Sequence, residues 1–164
     1  MTATVIEGNV THLPDPKSDD AVIHHALKIL DSRARTPGWY VQGADDVKNY
    51  LRVRLAAEHG RECLFVLYLD ARYGVVESEV LQHGALDAEA FQSRSVVQQA
   101  LACNAFAVVL AHNQPPGGEA WSLADQQLVS RLAGALVPVG VRVLDYFLLG
   151  DEADVYSFHE HGRV

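Results

Sequence analysis

The strongest constraint on the fold of this chain is the stretch AFAVVLAHN at residues 105–113. Its first seven positions are all apolar, so a strand formed here would have no polar side to turn toward water. The segment that follows, QPPGG, is rich in turn-forming residues and ends the strand at once. The stretch therefore predicts the central strand of a sheet whose two faces are both covered by other elements.

The periodicity of apolar residues predicts the elements on either side of this strand. Helical spacing predicts helices at residues 19–35, 45–59, 95–104 and 122–136, and short apolar or alternating runs predict strands at residues 62–70, 74–84, 141–151 and 154–160. Helices and strands in this order predict one α/β sandwich, with a central sheet of mixed strand direction and helices on its faces. We divide the chain into an N-terminal arm at residues 1–18, a helical segment at 19–60 and a core at 61–164.

The charge of the chain weighs against a nucleic-acid partner. Its 164 residues carry a formal net charge of −8, and an acidic surface repels phosphate backbones. The densest group of basic residues, Lys48, Arg52, Arg54 and Arg61, is interleaved with acids, which is typical of a solvated helix face. Binding to duplex DNA is therefore expected to be weak at physiological salt.

The cysteines and the hydropathy of the chain predict its compartment. Cys63 and Cys103 lie in apolar runs without the close spacing of a metal-binding or redox pair, so both are expected to be buried, reduced thiols. The sequence has no apolar stretch long enough to span a membrane, and it starts without a secretory signal pattern. These features predict a cytoplasmic protein without a membrane partner.

Residues that could carry chemistry gather around the end of the predicted central strand. Ligands of open α/β sheets bind beyond the strand ends, and His112 stands where this strand stops. Ser122 and Asp125 begin the next helix, within reach of the same crevice, and Glu79 could add a carboxylate from a neighbouring strand. A serine with an acid three residues later is also typical of a helix capping box, so a purely structural role for this pair stays open.

These residues resemble the metal-binding motif of the JAMM/MPN metallohydrolases: a glutamate, then His-x-His, seven residues, and Ser-x-x-Asp. Here the motif would consist of Glu79, His112-Asn113-Gln114 and Ser122-Leu123-Ala124-Asp125. Within that superfamily the chain is most similar to the RadC family, through ECLFVLYLDARYGVVESEVLQHGAL, VLAHNQPPGG and VRVLDYFLLGDEADVYSFHEHG. The resemblance covers residues 21–164. It predicts an MPN (JAB)-like fold in a short form without the helix-hairpin-helix segment of longer relatives.

The resemblance implies a zinc-dependent metallohydrolase of the peptidase or isopeptidase type, acting on a protein or peptide. Family likeness places the zinc on two histidines and the aspartate, here His112, the substituted position Gln114, and Asp125. Glu79 would take a proton from the metal-bound water, and Ser122 would help to stabilise the oxyanion. The resemblance leaves the oligomeric state open.

Three positions near the motif depart from the family pattern. Gln114 offers an amide oxygen where the family has its second histidine, and zinc prefers nitrogen or sulfur ligands. The family's Pro-Ser-Gly is Pro115-Pro116-Gly117 here, and its Asp-His pair on the penultimate strand is Asp145-Tyr146. These changes predict weak zinc binding, which a histidine at position 114 should strengthen.

Several alternatives stay open. Glu77 lies on the same strand face as Glu79 and could take its place, and His83 could replace the missing ligand. His159 and His161 would share one face of the last predicted strand. The main alternative function is a catalytically inactive MPN-like scaffold that binds a protein partner, because one ligand position is substituted. An association with DNA repair rests on the family name alone.

Overall fold

The protein forms four helices and five strands within the residues that the computed structural model describes, 19–34, 40–56, 58, 61–87, 91–114, 122–150 and 155–164. The helices are α1 (Asp19–Ala34), α2 (Ala44–Ala56), α3 (Ser93–Ala102) and α4 (Leu123–Leu136), and the strands are β1 (Cys63–Leu69), β2 (Val75–His83), β3 (Ala107–Asn113), β4 (Arg142–Leu149) and β5 (Val155–Ser157). None of the described helices is long and apolar enough to cross a membrane. The arm predicted at 1–18 and the turn Pro115-Pro116-Gly117 lie outside the described residues.

β3 is the middle strand of a five-stranded sheet with the order β2-β1-β3-β4-β5. It runs antiparallel to β1 and parallel to β4, while β1 with β2 and β4 with β5 form antiparallel pairs. The prediction of a central strand in a mixed α/β sheet is therefore confirmed. The parallel pairing of β3 with β4 matters for the site, because it brings the carboxyl ends of both strands to the same edge of the sheet.

The alternation of side chains along β3 explains why this strand is apolar throughout. Val108 belongs to a core cluster with α3 and α4, whereas its neighbour Val109 belongs to a second cluster with α2 on the other face. Leu128 of α4 and Leu51 of α2 are fully buried in these two clusters. Because both faces are covered, the side chains from Ala107 to His112 are all buried, which stabilises the fold by roughly 25 cal/mol per Å² of apolar area.

The last strand is shorter than its sequence pattern predicts. β5 ends at Ser157, and residues 158–162 form turns instead of extending the ladder. The cause is Asp145, whose carboxylate accepts hydrogen bonds from Ser157 Oγ at 2.6 Å and from the backbone N–H of His159 at 2.9 Å. The expectation that His159 and His161 share a strand face is therefore wrong.

The two cysteines differ in burial. Cys63 is fully buried at the start of β1, and burial together with the charge of Glu58 raises the pKa of its thiol to about 11. Cys103 is only half-buried beyond the end of α3, which corrects the expectation that both thiols are buried. Burial also raises the pKa of Cys103.

We expect Cys103 to react with iodoacetamide well before Cys63 in the native protein. The thiolate is the reactive form, and a pKa of about 11 keeps Cys63 protonated at neutral pH. Mass spectrometry after timed labelling should therefore find Cys103 modified first. In the Cys103→Ser variant, labelling should begin only when urea unfolds the chain, and rapid modification of Cys63 in that variant would contradict its buried position.

Candidate active site

The end of β3 holds a buried histidine between two carboxylates. His112 is 3% exposed and lies on the same face of the sheet as the cluster that contains α4. Its Nδ1 lies 3.1 Å from Oδ1 of Asp125, and its Nε2 lies 2.9 Å from Oε1 of Glu62. Both ring nitrogens are therefore engaged by acceptors, which come from α4 and from the residue that precedes β1.

Asp125 caps the first turn of α4. Ser122 is the N-cap residue, and its Oγ accepts a hydrogen bond of 3.1 Å from the backbone N–H of Asp125. In return, Oδ2 of Asp125 accepts hydrogen bonds from the backbone N–H of Ser122 at 3.1 Å and from its Oγ at 2.5 Å. This capping box explains why the helix begins here. It does not exclude a role in the site, because the other oxygen of Asp125 faces His112.

A tyrosine completes the surroundings of Asp125. Tyr146 lies on β4 opposite Leu110 of β3, and its hydroxyl donates a hydrogen bond of 2.5 Å to Oδ1 of Asp125. The side chain is fully buried, and its ring packs edge-on against Phe158 with the ring centres 5.0 Å apart. The phenol therefore occupies the β4 side of the site, at the position where the family resemblance has a histidine.

The protonation states of this cluster follow from burial and hydrogen bonding. Burial tends to raise the pKa of Asp125, but hydrogen bonds from His112, Ser122 and Tyr146 hold it below its ordinary value of 3.8. For Tyr146, burial and the adjacent charge of Asp125 raise the pKa well above its ordinary value of 10.0. At neutral pH the two groups are thus a carboxylate that accepts and a neutral phenol that donates.

Gln114 follows β3 directly and lies at the edge of this cluster. Its backbone N–H donates to the carbonyl oxygen of Leu149 at 3.0 Å, and its Nε2 lies 3.5 Å from Oδ2 of Asp125. The structure therefore brings together His112, Gln114, Ser122 and Asp125, as the motif spacing predicts.

Glu62 also lies in the site, although sequence reasoning did not select it, and Asn113 holds it there. Oδ1 of Asn113 accepts a hydrogen bond of 2.6 Å from the Cys63 N–H, and its Nδ2 donates to the carbonyl oxygen of Arg61 at 2.7 Å. The Glu62 carboxylate, in a side chain 19% exposed, also accepts from the Leu86 N–H at 3.3 Å. The position of Glu62 in the sequence could have indicated this. Glu62 precedes β1, and the start of β1 lies beside the end of its antiparallel neighbour β3.

Within the described part of the chain, the structure shows no hydrogen bond or ion pair between Glu79 and these residues, and its carboxylate contacts Tyr68 instead. Glu79 pairs with Val66 in the ladder between β2 and β1, and its Oε1 accepts a hydrogen bond of 2.7 Å from the Tyr68 hydroxyl. β2 is an edge strand separated from β3 by β1. The alternatives Glu77 and His83 also belong to β2, and Nδ1 of His83 lies 3.7 Å from the Glu58 carboxylate.

The residues present do not fit the zinc site that the family resemblance implies. Zinc in catalytic sites takes three protein ligands, usually from histidine, cysteine and carboxylate groups. Among the residues that the structure describes, no group of three or more such side chains is placed to hold a metal ion. Each ring nitrogen of His112 faces a different carboxylate, so an ion bound at one nitrogen would have only one of the two carboxylates beside it. Gln114 offers only an amide.

We expect Asn113→Ala to lower the free energy of unfolding by about 1–3 kcal/mol, because two backbone groups beside Glu62 lose their partner. Urea denaturation measures this change. Asn49→Ala is a matched control, since Asn49 accepts a hydrogen bond from Arg52 on an exposed helix surface, and it should change stability by no more than about 0.5 kcal/mol. Equal losses in the two variants would contradict the role of Asn113 in holding Glu62.

Comparison with known proteins agrees with this architecture. A family model described as RadC-like JAB domain matches residues 41–163. A UPF0758 protein of Stutzerimonas stutzeri is 46% identical over 142 residues, which cover 87% of this chain and 62% of the relative. The UPF0758 protein YkfG of Escherichia coli is 39% identical over 146 residues, 89% of this chain and 91% of YkfG. A UPF0758 protein of Aliivibrio salmonicida is 40% identical over 120 residues, 73% of this chain and 53% of the relative.

The match therefore covers little more than half of two of these relatives and nearly all of the third. The family model spans most of the chain, including every strand of the sheet and all of the residues around His112. On this evidence the chain belongs to the RadC-like JAB domain family.

Proposed function

We propose that this JAB domain lacks the zinc-dependent hydrolase chemistry implied by its family resemblance and serves as a protein-binding module. The observation that carries the proposal is the engagement of Asp125. Hydrogen bonds from Ser122 and Tyr146 and the contact with His112 take up both of its carboxylate oxygens. A carboxylate can ligate a metal only through a free lone pair, and the substituted residue Gln114 supplies no strong ligand in compensation.

A groove on the surface supports the proposal that the chain is a protein-binding module. At the amino end of β3, opposite the end that holds His112, lies a groove of about 490 Å³. Its lining combines apolar residues, among them Leu101, Phe106 and Val139, with the polar residues Asp70, Arg72 and Asn104. Leu101 is 56% exposed and Val139 is 38% exposed, so large apolar side chains face water there. Clustered exposed apolar groups favour contact with another protein. We therefore assign the partner, a protein segment with apolar side chains, to this groove.

A hydrolase with weakened zinc binding is the second candidate. The convergence of Glu62, His112, Ser122 and Asp125 on one crevice favours it, because these residue types serve in metal-assisted hydrolysis. In that case Glu62, rather than Glu79, is the carboxylate in position to act as the general base.

A DNA-associated role receives no support from the surface charges. Lys48 lies 2.7 Å from a carboxylate oxygen of Glu160, and Arg54 and Arg61 lie 3.0 and 3.6 Å from Glu58. Three of the four basic residues that stand close together in the sequence are thus balanced by acids in space, and the net charge of the chain is −8. A protein partner agrees better with this surface than a phosphate backbone does.

We expect the chain purified without chelator to hold well below one zinc ion per molecule. Loss of a group outside the ligand shell already lowers metal affinity by about 10–100-fold, and here a ligand itself is replaced. Elemental analysis by mass spectrometry measures the content. His112→Ala should leave this low content unchanged. Stoichiometric zinc that His112→Ala abolishes would contradict the proposal and favour the hydrolase.

We expect the double variant Leu101→Glu/Val139→Glu to lose at least one protein that co-purifies with the affinity-tagged chain. Two charges in the groove cannot be buried against an apolar partner without a large desolvation cost. Quantitative mass spectrometry should show a loss of about tenfold or more, as a change of 1.4 kcal/mol predicts. Leu123→Glu is the matched control, because Leu123 is 66% exposed on α4 away from the groove. Retention of every partner by the groove variant would contradict the assignment.

A further inference from the structure

Both oxygens of the Asp125 carboxylate are already occupied. Oδ1 accepts from the Tyr146 hydroxyl at 2.5 Å and faces Nδ1 of His112 at 3.1 Å. Oδ2 accepts from the backbone N–H and the hydroxyl of Ser122, at 3.1 and 2.5 Å. A fifth contact, from Nε2 of Gln114 to Oδ2 at 3.5 Å, is at the limit of a hydrogen bond. A carboxylate oxygen offers about two lone-pair positions, so the four shorter contacts fill both oxygens. A metal ion can bind Asp125 only if one of the four is displaced.

The four contacts differ in how easily a metal could displace them. The two from Ser122 belong to the capping box of α4, and their loss would leave the backbone N–H and the hydroxyl of Ser122 without this partner. The imidazole of His112 is itself a possible metal ligand, so it need not be displaced from the site. The Tyr146 hydroxyl is therefore the group that a metal has to displace from Oδ1.

Tyr146 cannot turn away from Asp125 without disturbing the core. Its backbone is fixed in the ladder between β3 and β4, its side chain is fully buried, and its ring packs against Phe158. The hydroxyl therefore stays where a metal would have to bind.

We infer that the Tyr146 hydroxyl holds Asp125 in a metal-free hydrogen-bond network and blocks metal binding independently of Gln114. The inference rests on the proposed function and deepens it, since it names a second residue responsible for the loss of zinc. A histidine at position 114 would reach the carboxylate, because Nε2 of Gln114 lies 3.5 Å from Oδ2. It would nevertheless leave Oδ1 blocked, so tight zinc binding requires removal of the hydroxyl as well.

The test is a zinc titration against a chromophoric chelator with four proteins: the unmodified chain, Gln114→His, Tyr146→Phe, and the double variant. Phenylalanine keeps the ring and its contact with Phe158 and removes only the hydroxyl. We expect the double variant to bind one zinc ion at least about tenfold more tightly than Gln114→His does. Cobalt(II) added in place of zinc should give strong tetrahedral absorption bands with the double variant alone.

Tyr68→Phe in the Gln114→His background is the matched control. Tyr68 is also fully buried, and its hydroxyl donates to a carboxylate, that of Glu79, outside the site. This control should leave the zinc affinity of Gln114→His unchanged within about twofold, as expected for a distant site. If thermal unfolding shows that the double variant does not fold, Tyr146→Leu in the same background provides a second variant without the hydroxyl.

The outcomes separate this inference from the proposed function. If Gln114→His binds zinc as tightly as the double variant, or if neither gains affinity, the inference is overturned, while the metal-free state of the unmodified chain stands. Stoichiometric zinc in the unmodified chain would overturn the proposed function, and with it the premise that the hydroxyl blocks the metal. Tight binding by the double variant alone supports both.

Discussion

The carboxylate of Asp125 is the interaction on which the rest of the site depends. It is completely buried, and its partners come from three places: Ser122 caps α4, His112 lies near the end of β3 and Tyr146 lies on β4. A buried carboxylate is costly unless hydrogen bonds satisfy its lone pairs. Each contact therefore stabilises the charge and fixes the position of one element relative to the others. Substitutions among these residues are expected to be coupled, because they share one partner.

Much of the fold could be predicted from the sequence because its strongest signals are local. The apolar stretch that became β3 requires cover on both faces, and α2, α3 and α4 supply that cover. Ser122 and Asp125 mark the start of α4 because a capping box needs only residues that are three apart. The end of β5 could not be predicted in this way. It depends on Asp145, which stands twelve residues before Ser157 in the sequence and binds its hydroxyl.

The site itself could be predicted only in part, because the identity of its glutamate depends on the order of the strands. His112, Ser122 and Asp125 follow from the spacing along one stretch of chain. The choice between Glu62 and Glu79 depends on which strand lies beside β3, and no local pattern gives that order. β1 occupies this place, so Glu62 meets His112 while Glu79 on the edge strand meets Tyr68. The bond between Tyr146 and Asp125 is likewise invisible in the sequence, since it joins β4 to a helix.

Gln114 and Tyr146 both concern one physical requirement, which is that the buried carboxylate of Asp125 needs hydrogen-bond donors. Without a metal ion, the buried charge of Asp125 needs other donors, and Gln114 at 3.5 Å gives at most a weak hydrogen bond. The Tyr146 hydroxyl at 2.5 Å is a stronger donor, and it is in place as soon as β4 pairs with β3. On the inference drawn above, the contact that stabilises the folded chain is also the contact that excludes the metal. If a partner binds at the opposite end of the sheet, as we propose, it leaves this network and its stability intact without needing the metal.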